Sequence, residues 1–494
     1  MSALTSRQKI ELHKAISQYL KPNLEPELYK EINLRLELTE DDLKSSSDNN
    51  LLAKKWSTVI RLQKKILDLE SQVSNLNELL DASSNGTGIK SSNGSLIHTK
   101  INWLPSRASQ VLKAQKSAIN SLDIHPFLPE LVAALNDGSF VVWDLLNPLQ
   151  PSKLINGHTK AINGICYGKK PLKLSQQDSS SGSILVATCS SDLYIKIWDS
   201  TNNFELKRTL SGHTHTISSV KFKNNDPGQL FSSSRDGSVI LWDVTNGWRL
   251  RSFVGHSDWV RSLDLTPTDE FLISCANDQS ARLSHGDSGI GLSIMIGHTH
   301  VVEDCKFAPR TAWKYLDMLA TAKSYSNDPT VLEQYNALDF KYCATASRDE
   351  TIKIWLLPLP IIRPHRPPAP SSNPSAVCII ELKGHSSWVR SLQFHPGGKY
   401  LFSSSDDKSI KIWDLSAIEK LGVAKCIRTL NGGHEGFVNC IKFATPIQYD
   451  QPTDEGDKIT DEKEREKKKL NELDKSIRTI FASGGTDNNI CMWV

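Results

Sequence analysis

From about residue 105 to the end of the chain, short apolar runs alternate with polar turns, the pattern of successive β-strands. The pattern recurs. A Gly-His pair stands at Gly157-His158, Gly212-His213, Gly255-His256, Gly297-His298, Gly384-His385 and Gly433-His434. After each pair comes a small or polar strand, then an Asp, then an aliphatic strand ending in Trp in all but one unit. Examples are SSSRDGSVILWD (232–243) and SSSDDKSIKIWD (403–414). Successive histidines lie 42 to 87 residues apart, so the unit is regular and the material inserted into it varies.

Inside the unit the spacing is strict. The turn aspartates are Asp192, Asp236, Asp278, Asp349, Asp407 and Asp487. Four residues before them stand Thr188, Ser232, Ser274, Thr345, Ser403 and Ser483; six residues after stand Trp198, Trp242, Trp355, Trp413 and Trp493. Alternate residues of a strand share a face, so a hairpin at the Asp brings hydroxyl and indole together. A buried indole N–H and a buried imidazole both need partners. His158, His213, His298, His385 and His434, with these hydroxyls and carboxylates, predict a closed polar network in each sheet. Two units are degenerate. The one at His256 has Ser284 in place of Trp; an earlier one has Asp137 and Trp143 but no Gly-His, and Ala133 replaces Ser/Thr. The pattern resembles the WD repeat. Counting both degenerate units, the fold class is all-β, a seven-bladed WD-repeat β-propeller over 105–494.

The chain stops at Trp493-Val494, just after a third strand. Residues near 107–113 are therefore expected to supply the outer strand of the last blade and close the ring. The region is longer than seven units require, and four insertions account for the excess: Ser-rich 171–183, 311–341 without a repeat signal, Pro-rich 358–376 expected to be extended and partly polyproline-like, and mixed-charge 446–477.

The N-terminal part has a helical period instead. Ile10, Leu12, Ile16, Tyr19 and Leu20 form an apolar stripe that Pro22 ends, and a second helix is expected from about Glu25. Val59, Leu62, Ile66, Leu69, Val73, Leu76 and Leu80 step alternately by three and four, an unbroken coiled-coil seam. Both elements are too small to cover their apolar faces alone, so a homodimer is predicted. The expected division is 1–40 helical hairpin, 51–80 coiled coil, 81–104 Gly/Ser/Asn-rich linker and 105–494 propeller.

Composition narrows the function. Lys and Arg number 58 against 55 Asp and Glu, a net charge of +3, so a generally basic nucleic-acid binder is disfavoured. No apolar stretch is long enough to span a membrane. The nine cysteines form no CxxC, which fits a reducing compartment. A Ser, a His and an Asp in each blade suggest a hydrolase triad, but their repetition with a buried Trp argues for structure, not catalysis. His213/His215 and His298/His300 form HxH pairs without an evident third ligand, so no metal is predicted. No GxxxxGK[ST] loop occurs, and no cofactor is predicted.

RQKIELHKAISQYL (7–20), the seam with KKWSTVIRLQKKILDLE, and seven WD units together resemble the lissencephaly-1/fungal nuclear-distribution (PAC-type) family, whose first element is a LisH hairpin. The resemblance implies a non-enzymatic, homodimeric regulator of cytoplasmic dynein. Its propeller face docks on the AAA+ motor domain of the heavy chain. Further implied partners are a NudE-type coiled-coil protein and a CLIP-type microtubule plus-end protein, with neither nucleic acid nor membrane bound directly. The implied roles are nuclear migration and spindle positioning, in the cytoplasm at microtubule plus ends and spindle poles. Carried over by motif position, the dynein-binding residues are Arg235, Arg261, Arg348, Trp388 and Lys408. The internal repeat GHSDWVRSL (255–263) and GHSSWVRSL (384–392) adds Trp259 and Arg390. Arg and Trp are the residue types that dominate interface energies. The alternative reading is a LisH–WD scaffold of a nuclear transcriptional corepressor complex.

Overall fold

The computed structural model describes six residues between His13 and Leu36. From residue 105 to 493 it describes all but 106, 114–116, 146–150, 175–181, 323–328, 364, 418–423 and 445–480. The chain divides into two compact units, Met1–Ile101 and Asn102–Val494. In the first, His13 and Ser17 are helical, as are Ile32, Asn33 and Arg35. The buried Ser17 hydroxyl donates to Asn33 Oδ1 at 2.6 Å, and His13 Nδ1 bonds the Leu36 carbonyl at 2.9 Å, so two helical stretches lie against each other. The predicted seam of 59–80 and the linker of 81–104 lie outside the described residues.

The second unit is a ring of seven four-stranded antiparallel sheets. The innermost strands of blades 1 to 7 are Ile119–Ile124, Ile162–Tyr167, Ile217–Phe222, Val260–Leu265, Val302–Phe307, Val389–Phe394 and Val438–Phe443. They line a central channel of about 430 Å³. The second and third strands are almost wholly buried, as Leu185–Ser190 and Val239–Trp242 illustrate. They carry the β-branched and aromatic residues that pack blade against blade. Blade 7 closes as the sequence predicts: Gln110–Lys113 pairs antiparallel with Asn489–Met492 as its outer strand.

One irregularity recurs in every blade. Pairing between the first and second strands skips one residue near the start of the inner strand: Asn120, Asn163, Ser218, Arg261, Glu303, Arg390 or Asn439. A β-bulge re-aims the side chain of the unpaired residue. Here it creates a seven-membered collar at one end of the channel.

Two insertions carry structure that the sequence left unspecified. Residues 311–341 form two helices, α1 (Arg310–Ala322) and α2 (Pro329–Leu338), between the first two strands of blade 5. Residues 358–376 include extended backbone, as expected, part of it paired as a hairpin. Ile361–Arg363 pairs with Arg366–Ala369, and beyond this hairpin Ile294 exchanges backbone bonds with Pro374 and Ala376. The segment thus caps the outer edge of blade 4 before joining blade 5. The insertion 446–477 lies outside the described residues.

Candidate functional site at the channel mouth

Five blades contain the same four-residue relay. In blade 2 the Trp198 indole donates to Thr188 Oγ1 at 2.9 Å, that hydroxyl bonds His158 Nε2 at 2.9 Å, and His158 Nδ1 bonds Asp192 at 2.8 Å. A carboxylate only accepts, so Nδ1 carries the proton and Nε2 receives the hydroxyl's. The same bonds link Trp242, Ser232, His213 and Asp236, and Trp355, Thr345, His298 and Asp349. They recur for Trp413, Ser403, His385 and Asp407, and for Trp493, Ser483, His434 and Asp487. The Gly of each Gly-His lets the indole close in; a Cβ at Gly433 would meet the Trp493 ring at 2.7 Å. Burial works against ionisation of the turn aspartates. The imidazole and neighbouring backbone N–H groups outweigh it, holding Asp192, Asp236, Asp278, Asp349 and Asp407 below the usual carboxylate range and Asp487 at about 2. Burial pushes His158 and His385 below the ordinary imidazole value despite their aspartates. Both ring nitrogens of His213 and His298 are engaged, so neither of these two rings offers a lone pair to a metal.

The degenerate blades lack part of the relay. In blade 4, His256 keeps Ser274 and Asp278, and the Arg282 side chain lies against Gly255 where other blades place Trp. In blade 1 the buried Trp143 N–H has no partner, because Ala133 stands at the hydroxyl position.

The collar divides into two halves. In blades 1, 2 and 7 its members are asparagines that bond the first inner-strand carbonyl of the next blade: Asn120 to Ile162, Asn163 to Ile217 and Asn439 to Ile119, at 2.7–2.9 Å. These are staples. Blades 4, 5 and 6 instead present Arg261, Glu303 and Arg390. Two matching modules flank Glu303. Trp259 donates to the collar Ser218 and is contacted by two guanidinium groups, Arg261 at 3.6 Å and Arg235 at 5.1 Å from the ring centre. Trp388 is likewise contacted by Arg348 at 4.2 Å and Arg390 at 5.0 Å. Each Trp is thus held by the Arg of the preceding blade's turn and the collar Arg of its own blade.

Glu303 joins the modules. Its side chain is 8% exposed and meets Arg261 at 4.0 Å, Arg390 at 3.5 Å and Arg348 directly. Asp406 takes a two-pronged bond from Arg390 at 2.7 and 2.8 Å, and Asn277 takes one from Arg261 at 2.7 Å. The predicted cationic set therefore behaves in two ways. Arg261, Arg348 and Arg390 are mostly covered (16%, 16% and 23% exposed) and neutralised in part. Arg235 and Lys408 are exposed and make no ion pair among the described residues; Trp388 is 37% exposed. The free positive charge is smaller than the sequence suggested, and the covered arginines position the tryptophans.

Comparison with known proteins decides the family. Over 515 residues the chain is 43% identical to the nuclear distribution protein PAC1 of Candida albicans, covering 100% of this chain and 99% of the relative. The chain belongs to the nuclear distribution protein PAC1 family. Its PAC1 relatives include that of Debaryomyces hansenii, 43% identical over 528 residues with 99% of each chain covered. That of Komagataella phaffii is 36% identical over 508 residues, covering 99% of this chain and 97% of the relative. The WD domain, G-beta repeat family matches residues 106–144, 149–199, 204–243, 247–283 and 376–414. These fall in blades 1–4 and 6; blades 5 and 7 are the two with long insertions between their first strands.

Sequence reasoning did not assign four groups to the mouth, His300 having been singled out only as half of an HxH pair. They are Glu303, Asp406, the exposed Phe437, which occupies in blade 7 the position of Trp259 and Trp388, and His300, whose ring centre lies 6.4 Å from that of Trp388. Aligning the repeats on His would have found Glu303, five residues after His298, and Phe437, three after His434.

Proposed function

We propose that this chain is a non-enzymatic regulator of cytoplasmic dynein in nuclear distribution, and that it docks on the AAA+ motor domain through the channel-mouth arc of blades 3 to 6. The full-length likeness to proteins named for nuclear distribution supports the pathway. The asymmetry of the collar carries the choice of surface: one half is spent on inter-blade staples, while the other holds Trp259 and Trp388 upright between arginines, and Arg235 and Lys408 are exposed cations without an ion pair among the described residues. Aromatic and guanidinium groups on a preorganised rim suit an acidic, partly apolar partner surface. The leading helices and the 59–80 seam pair two chains, raising the effective concentration of the second propeller once the first is bound. The NudE-type and CLIP-type proteins belong to the same reading, as does a cytoplasmic site of action at microtubule plus ends and spindle poles. The propeller acts by preferring one motor conformation over another, which is the only way a ligand shifts such an equilibrium.

The test reverses the two exposed, unpaired cations. The double variant Arg235→Glu, Lys408→Glu should bind purified dynein motor domain at least about tenfold more weakly and keep the unfolding temperature of the unaltered chain. Undiminished affinity would remove this face from the proposal.

A further inference from the structure

We infer that the end of the channel opposite the mouth is a binding site for a small phosphoryl-type oxyanion, held by Lys169, Lys221 and Lys442. Four lysines line this end, Lys169, Lys221, Lys306 and Lys442, facing three carboxylates, Asp123, Asp264 and Asp304. Those carboxylates are already committed. Asp123 accepts the Tyr167 N–H of blade 2 at 2.9 Å and pairs with Lys442 at 3.2 Å. Asp264 accepts the Phe307 N–H of blade 5 at 2.9 Å and pairs with Lys221. Asp304 accepts the Leu392 N–H of blade 6 at 2.9 Å and pairs with Lys306 at 2.9 Å. Each aspartate thus bonds the backbone of another blade and takes one lysine.

Lys169 is left over. It follows the inner strand of blade 2, is exposed to the solvent side of the channel, and has no ion-pair partner among the described residues. Surrounding protein and the like charges of Lys221 and Lys442, only partly offset by Asp264 and Asp123, bring its amine down to about 8. Lys306, bonded directly to Asp304 with Asp264 also near, moves the other way. A surplus ammonium beside two others, in a channel whose three carboxylates are each already paired with another lysine, is an arrangement that a multivalent oxyanion completes. Three compact ammonium groups suit the tetrahedral oxygens of phosphate, which needs no planar fork. Free phosphate and a phosphate monoester present this same group.

The experiment uses the full chain. Unfolding temperature is followed against sodium phosphate and against sodium chloride at matched ionic strength, for the unaltered chain, Lys169→Met, and the control Lys408→Met. Phosphate stabilises proteins generally by exclusion from their surface, an effect both variants share, so the readout is the difference between them. A saturable rise of a few degrees in the unaltered chain and in Lys408→Met, absent from Lys169→Met, supports the site. Equal rises in all three overturn it. Glycerol phosphate in place of phosphate separates the sources: an equal or larger saturable rise means that a monoester is accepted, and a smaller one assigns the site to the free ion. A second readout does not depend on stability. With lysines reductively ¹³C-methylated, phosphate should raise the pKa of the Lys169 amine, since an adjacent anion favours its charged form. An amine that titrates identically with and without phosphate overturns the proposal.

Discussion

Trp143 and Ala133 show at the scale of one side chain what the repeat spacing is for. In five blades a hydroxyl ten residues before the Trp accepts the indole N–H; in blade 1 the corresponding residue is Ala133, fully buried, and the indole has no partner. An unmade buried bond costs more than a made one contributes. Ala133→Ser should therefore stabilise the propeller by about 1 kcal/mol, read as a higher urea midpoint at unchanged slope. Blade 1 has no repeat histidine to take the serine's own proton, and the Val141 carbonyl, paired across the strand from position 133, is its acceptor. Ser403→Ala should act in the opposite sense and lose about 1–3 kcal/mol, because Trp413 and His385 both lose a partner. If Ala133→Ser left the midpoint unmoved, the relay would be a consequence of packing and not a source of stability. These residues were legible in the sequence because a hairpin fixes their offsets. Glu303 and Asp406 were not, because the collar uses different residue types from blade to blade and only the bulge brings them together.

Between blades, α1 shows how an insertion becomes part of the ring. Ala312, Trp313 and Leu316 bury their side chains in the cluster that also holds Leu401 and Trp413 of blade 6. Thr311 Oγ1 donates to the Pro396 carbonyl at 2.8 Å. The turn beneath the helix ends at Gly398, with φ +73°, and a Cβ there would stand 2.3 Å from the Ala312 nitrogen. Gly398→Ala therefore combines a left-handed backbone with a clash against helix backbone that has no flexible end to yield. The left-handed conformation alone costs about 1–2 kcal/mol for a residue with a Cβ, and displacing α1 adds to it. The expected result is a lower unfolding temperature with faster amide exchange concentrated in α1. Exchange unchanged in α1 would show that the turn absorbs the substitution alone. The sequence marked the bounds of this insertion, since the repeat signal fails over 311–341, but not its helices. Ala312, Trp313 and Leu316 of α1 do fall on one helical face, but the partner that buries them, blade 6, is distant in sequence. The course of the Pro-rich stretch was hidden for a related reason. Its prolines suggested an extended connector, while Ile294 of the neighbouring blade supplies the backbone bonds that set its course.

For the ring as a whole, closure ties together residues nearly four hundred positions apart: Ser109 donates through both its N–H and its hydroxyl to the Met492 carbonyl at 2.8 Å. Leu112 is the buried residue of this closing strand, packed with Ile119, Leu131, Ile490 and Met492. Without it, Asn489–Trp493 would be an open edge. Closing so long a loop carries an entropic cost that grows only slowly with length, so a single well-packed strand suffices. Leu112→Asp should remove at least about 2 kcal/mol, the lower end for losing a buried Leu, with the stranded carboxylate adding to the loss. Because each blade touches mainly its neighbours, the loss should be graded. Amide exchange should quicken most in blades 7 and 1 and least in blades 3 and 4. A uniform rise around the ring would mean that the seven blades open as one cooperative unit. The grading bears on function as well. Arg235, Trp259 and Arg348 sit on blades 3 to 5, away from the seam. Below the unfolding temperature, Leu112→Asp should therefore still bind dynein motor domain, whereas Arg235→Glu, Lys408→Glu should not, although it leaves the ring intact. Opposite effects of the two variants on stability and affinity would separate the surface that closes the propeller from the surface that engages its partner.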